Sequence, residues 1–195
     1  ADRGMQEVLE KHTSGRRVTT MCDLFERCDP VKTVGTRKAN LHRIKRFAAR
    51  MYGTLACPEQ DFPEDVKTLF HGIAVKRVTE AFAGHAAASD TAEVLNDAIV
   101  LSDLLISRNR LPEAENILNR AASLGGKARG EHLKKLLSDI YCRMGIVCSE
   151  KKDKKSAEKA FQQALTLSPE NTAAAGGLKS LEAKFGEFLP GMKWV

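Results

Sequence analysis

Residues 141–169 read YCRMGIVCSEKKDKKSAEKAFQQALTLSP, and the spacing within them decides the fold class. Together with the residues just before, Leu133, Leu136, Leu137, Ile140, Tyr141, Met144 and Cys148 recur at intervals of three and four, which lays them on one helix face. Gly145 interrupts that face without a side chain, which predicts a second helix at close range. Lys151, Lys152 and Asp153 form a polar break. Ala157, Ala160, Phe161, Ala164 and Leu165 then make a second apolar face, with small residues on either side of the one ring. Pro169 cannot continue a helix, and Ser168 before it is biased out of the α region. The predicted unit is an antiparallel helical hairpin.

The positions of Tyr141, Met144, Gly145, Cys148, Ala157, Phe161, Ala164 and Pro169 resemble one tetratricopeptide repeat, spanning Ser138 to Asn171. Met144 stands where that pattern has Leu, and Cys148 where it has Tyr. Residues 95–128 resemble a second, weaker repeat, with Ala114, Leu118 and Ala121 at the small-large-small positions. There Ala98 replaces the aromatic, Ser102 the Gly and Gly126 the Pro. The two repeats begin 43 residues apart, more than the period of roughly 34 residues. The excess, Arg129 to Leu137, predicts a longer first helix in the last repeat. Residues 172–185, with Leu178 and Leu181, resemble the cap helix of such arrays. The resemblance spans residues 95–185, and no register fits further upstream.

The resemblance implies a scaffold that holds a protein partner rather than an enzyme. By motif position its groove is lined by Asn96, Ile99, Val100, Asp103, Asp139, Cys142, Arg143 and Ile146. Family members that bind chaperone tails clamp a carboxylate there with a cluster of Lys, Asn and Arg. This chain has Arg143 but sets Asp103 and Asp139 beside it, which suits a helix or an extended peptide better.

Around this segment, 195 residues with 43% hydrophobic and 29% charged residues suffice for a sizeable core. No alternating β-type run stands out. The predicted fold is all-α, an α-solenoid of antiparallel helical hairpins, tetratricopeptide-like in the C-terminal half. Residues 1–88 are predicted to be an N-terminal helical region, with short helices near residues 1–12 and 20–25. Its basic helix 36–52 has Leu41, Ile44, Phe47, Ala48, Met51 and Tyr52 as the apolar face and Gly53 as the stop. The next helix runs from Pro63 to Ala83, ended by Gly84. Residues 89–195 hold the repeats, the cap helix and an apolar tail, 186–195. Two repeats bury their faces only against neighbours, so the N-terminal helices are expected to pack onto them in one continuous array.

The formal net charge is +6, but it is local. No acidic residue lies between Asp29 and Glu59, while Lys32, Arg37, Lys38, Arg43, Lys45, Arg46 and Arg50 all do. Such a helix is a solvated face, a surface for RNA or an acidic protein through residues 32–50, or a targeting remnant unusually far from Ala1. The RNA reading lacks interleaved aromatics, because Phe47 and Tyr52 fall on the predicted apolar face. The five histidines have no metal-pair spacing, so no metal and no cofactor are expected. Gly125-Gly126-Lys127 lacks the strand and the Ser/Thr of a phosphate cradle and reads as a helix stop. Five cysteines without a CxxC pair predict reduced thiols in an intracellular compartment, the cytoplasm first and the mitochondrion as the alternative. No run is long enough to span a bilayer.

These readings converge on a non-enzymatic interaction scaffold or adaptor, a subunit of a larger complex. The alternative is an RNA-associated helical protein that uses the basic helix. The tail carries Phe188, Leu189 and Trp194 among polar and turn residues. It is expected either to fold back over the last helices or to dock into a partner with Trp194 as anchor.

Overall fold

The computed structural model describes residues 34–126 and 130–186, with side chains over 42–126 and 130–181. The predicted N-terminal helices before residue 34 and the tail residues Phe188, Leu189 and Trp194 lie outside the described residues. Among the described residues there are seven α-helices and no strand, and within each compact unit helices pack on their neighbours in chain order. The chain is all-α and built of helical hairpins, as the spacing predicts. It divides into two compact units at Asp90–Thr91.

In the first unit, α1 (Val34–Leu55) pairs with α2 (Glu64–Ala87). Glu64 and Asp65 sit in the first turn of α2, where the helix dipole favours acidic groups. Neither Gly53 nor Gly84 ends its helix, contrary to the sequence expectation. Gly84 lies inside α2 because the ring of His42 occupies the space of a side chain: a Cβ there would fall 2.0 Å from it. The buried face of α1 also matches the expected one only in part, through Ala48 and Tyr52. Ala48, Ala49, Tyr52 and Ala56 are buried, whereas Phe47 is 55% and Met51 39% exposed. The reason is the narrowness of the seam. Ala74, Val78 and Ala81 on α2 are fully buried, and small residues on both helices allow a spacing too close for Phe47. Tyr52 instead meets Phe70, which also takes Phe62 edge-on, both at 5.7 Å between ring centres.

The second unit holds α3 (Thr91–Ile106), α4 (Leu111–Gly125), α5 (Glu131–Glu150), α6 (Lys154–Leu167) and α7 (Thr172–Gly186). α3–α4 and α5–α6 are hairpins; α5 also packs on α3 and α4, and α7 on α5 and α6. This succession is that of an α-solenoid. The two hairpins share one turn at the 43-residue offset seen in the sequence. Asn109 and Lys152 both take positive φ, at 56° and 64°. The Arg110 amide donates to the Leu105 carbonyl, and the Asp153 amide to the Cys148 carbonyl, each at 2.9 Å. In the first hairpin Ala114, Leu118 and Ala121 are buried, as are Ala157, Phe161 and Ala164 in the second. α5 begins at Glu131, so seven of the nine residues between the two repeats, 131–137, fall in its first two turns.

Phe161 is the centre of the second hairpin and only 2% exposed. A Cβ added at Gly145 of α5 would approach its ring to 2.6 Å, and one at Gly177 of α7 to 2.5 Å. The ring therefore lies between its own hairpin and the following helix. α7 supplies Ala174 and Leu181 to the same cluster.

Candidate protein-binding surface

The residues placed in the groove by motif position lie on α3 and α5. Asn96, Ile99, Val100 and Asp103 follow one stripe of α3; Asp139, Arg143 and Ile146 follow one stripe of α5. The two stripes are joined by a bidentate ion pair. Arg143 donates through Nε to Asp103 Oδ1 at 2.7 Å and through Nη2 to Oδ2 at 2.8 Å. Its Nη1 donates to the Asp139 carbonyl at 3.2 Å. The planar guanidinium and the carboxylate match in this geometry, so both charges are committed to each other.

The other groove residues divide by exposure. Ile146 is 38% exposed and Ile99 half-buried, whereas Val100 and Cys142 are buried in the helix seam. Val100 thus presents little surface to a ligand, because α3 rolls it toward the core. The Asn96 amide donates to the Ala92 carbonyl one turn back at 3.1 Å. Burial pushes the Cys142 thiol up from its ordinary value, which keeps it protonated and a poor nucleophile near neutral pH.

Beneath this surface lies a polar knot that the sequence reading did not single out. Ser138, fully buried, donates to the Ala164 carbonyl at 2.8 Å. Asn171 donates to Ser138 Oγ at 2.8 Å and to Asp139 Oδ1 at 3.2 Å, while its own Oδ1 caps α7 by accepting from the Ala174 amide. Ser138 and Asn171 together tie α5, α6 and α7, and Asn171 holds the Asp139 carboxylate. The sequence signal was present: an Asn directly before a helix, just after the Pro that ends the preceding one.

The basic residues of α1 belong to the first unit. Lys45 is committed to Glu80 at 2.6 Å. Arg43 and Arg50 are exposed and Arg46 half-buried. The side chains of Arg37 and Lys38 lie outside the described ones. Exposed Phe47 sits one turn from both Arg43 and Arg50, so an aromatic does interleave with the basic residues. The expectation that Phe47 is buried failed, whereas Tyr52 is buried as expected. Among the described residues no group of three or more His, Cys, Asp or Glu could hold a metal ion, and no helix is long and apolar enough to cross a membrane. Cys57, Cys142 and Cys148 are free thiols.

No curated protein matches the chain. Residues 138–171, the segment that packs around Phe161 and carries the Asp139–Arg143 stripe, match the tetratricopeptide repeat family, a module of protein–protein interaction.

Proposed function

We propose that this protein is a non-catalytic scaffold or adaptor within a larger complex, and that it holds a helix or extended peptide of a partner on the α3–α5 surface. The Asp103–Arg143 pair supports this reading most directly. A clamp for a terminal carboxylate needs cations that are not already satisfied. Here the one Arg of the surface is neutralised, and Asp139 adds a negative charge beside it. What the surface offers is aliphatic area, Ile99 and Ile146, framed by carboxylates. That combination favours an amphipathic segment with basic or neutral flanks. A photo-crosslinking residue at Ile146 is expected to capture the partner in cells, whereas the same residue at exposed Asn119 of α4 is not. Ile99→Glu with Ile146→Glu is expected to abolish capture from a third groove position, Asn96. Equal capture from Asn119 and Ile146 excludes the groove.

A second reading, an RNA-associated component, is favoured by one observation: exposed Phe47 between Arg43 and Arg50. A stacking ring flanked by guanidinium groups is the arrangement by which single strands are held without sequence preference. It predicts binding to generic single-stranded RNA that weakens steeply with salt. Phe47→Ala should weaken that binding, and Arg43→Glu with Arg50→Glu should flatten its salt dependence. Lys45 is a poor test position, because its loss also frees Glu80. Salt-independent or absent binding removes this reading.

A further inference from the structure

The two hairpins share a turn but differ beside it. In the first, Leu101 and Leu105 are buried. The equivalent residues of the second, Met144 and Cys148, are only partly buried. With Tyr141 and Ala160 they line a cleft of about 340 Å³ between α5 and α6, edged by Glu115 of α4 and by Lys151, whose ammonium holds Glu115 at 2.7 Å. The small thiol at 148, in a position filled by Leu in the first hairpin, leaves this room. Ligand sites run to roughly 300–1,000 Å³, so the cleft suits one large side chain rather than an extended ligand. Its thioether, thiol and phenol walls are soft and polarisable, which suits an aromatic ring. It lies on the opposite side of α5 from the Asp139–Arg143–Ile146 stripe, and so is independent of the proposed groove.

The course of the chain names an occupant. α7 begins level with Ser138, to which Asn171 is bonded, and reaches Gly177 at the level of Gly145, both against the Phe161 ring. It therefore advances alongside α5 in the same direction. Gly186, nine residues beyond Gly177, arrives at the level of the α5–α6 turn around Lys151–Asp153, where the cleft opens. The next nine residues, EFLPGMKWV, can span up to about 30 Å when extended, enough to round the turn. They carry the chain's only Trp. We propose that the cleft is a seat for an aromatic side chain and that its occupant is Trp194 of the same chain.

The full chain tests this directly, because Trp194 is the sole indole fluorophore. The expected emission is blue-shifted in the folded protein and turns red on unfolding. Cys148→Tyr, which fills the cleft with the residue of the repeat pattern, is expected to turn the emission red while the helical fold melts no earlier. Trp194→Ala is expected to speed alkylation of Cys148, followed by mass mapping, several-fold. Burial, aided by the Glu115 and Asp153 carboxylates, pushes the Cys148 thiol up, so labelling belongs at alkaline pH. Red emission from the folded wild type, or identical emission in Cys148→Tyr, overturns the proposal. A blue shift that grows with protein concentration also overturns it, by placing the indole in a second copy. If Cys148→Tyr melts early, the decision passes to Trp194→Ala, which leaves the cleft intact; an unchanged Cys148 alkylation rate then overturns it.

Discussion

At the scale of single residues, the second unit depends on one ring. Phe161 fills the space that Gly145 and Gly177 leave on two other helices. Phe161→Ala removes its buried area and opens a void that three backbones have to close. The expected loss is about 3–5 kcal/mol, read from denaturant midpoints, as for other buried Phe truncations. A loss below about 1 kcal/mol would mean that the ring is not a core residue. Arg143 is a different case. Its pair with Asp103 is bidentate but partly open to water, with side-chain exposures of 21% and 52%. Arg143→Ala is expected to cost about 1 kcal/mol, and a double-mutant cycle with Asp103→Ala to return a coupling of roughly 0.5–1 kcal/mol. Zero coupling would mean that the guanidinium does not join α3 to α5 in solution.

At the scale of elements, α1 and α2 are joined by small residues and by one ion pair. Burial opposes ionisation of Glu80, but the Lys45 ammonium bonded to it, helped by Arg77 and Lys76, outweighs this and holds the carboxylate below its usual range. A depressed carboxylate contributes stability above its unfolded pKa, about 4.3, and loses it as pH falls through the lower folded value. Glu80→Gln is therefore expected to lower the urea midpoint at about pH 7 and to approach wild type at about pH 3. A deficit that stays constant over this range would rule out the ionic origin. The same helix pair shows where sequence reading stops. The apolar spacing revealed that α1 and α2 exist and that α1 buries Ala48 and Tyr52, but not that it leaves Phe47 and Met51 exposed. Phe47 and Met51 lie on the same apolar stripe as Ala48 and Tyr52, and only the close approach of α2 chooses between them. Gly84 misled for a related reason. A glycine that ends a helix and one that admits a neighbour's ring look alike until His42 is in place. In the second unit, by contrast, Gly145, Ala157, Phe161 and Ala164 were legible because their sizes already encode the partner surface. The stripes on α3 and α5 were legible as a set of positions, not the pairing of Asp103 with Arg143 or the burial of Val100.

At the scale of the whole molecule, a hairpin array buries its faces only against neighbours. The bonds that tie helix to helix have a further consequence, for how the chain is made. Lys45–Glu80, Asp103–Arg143, Glu115–Lys151, Ser138–Ala164 and Ser138–Asn171 span 35, 40, 36, 26 and 33 residues. Each tie closes within two or three helices of where it starts, so none of these bonds waits for a distant part of the chain to be synthesised. A topology of this kind folds quickly and can fold from its N-terminal side while still emerging from the ribosome. Within the second unit the finished α3–α4 hairpin then offers its open face to α5, and a premature stop leaves behind a shorter array with one apolar face uncovered.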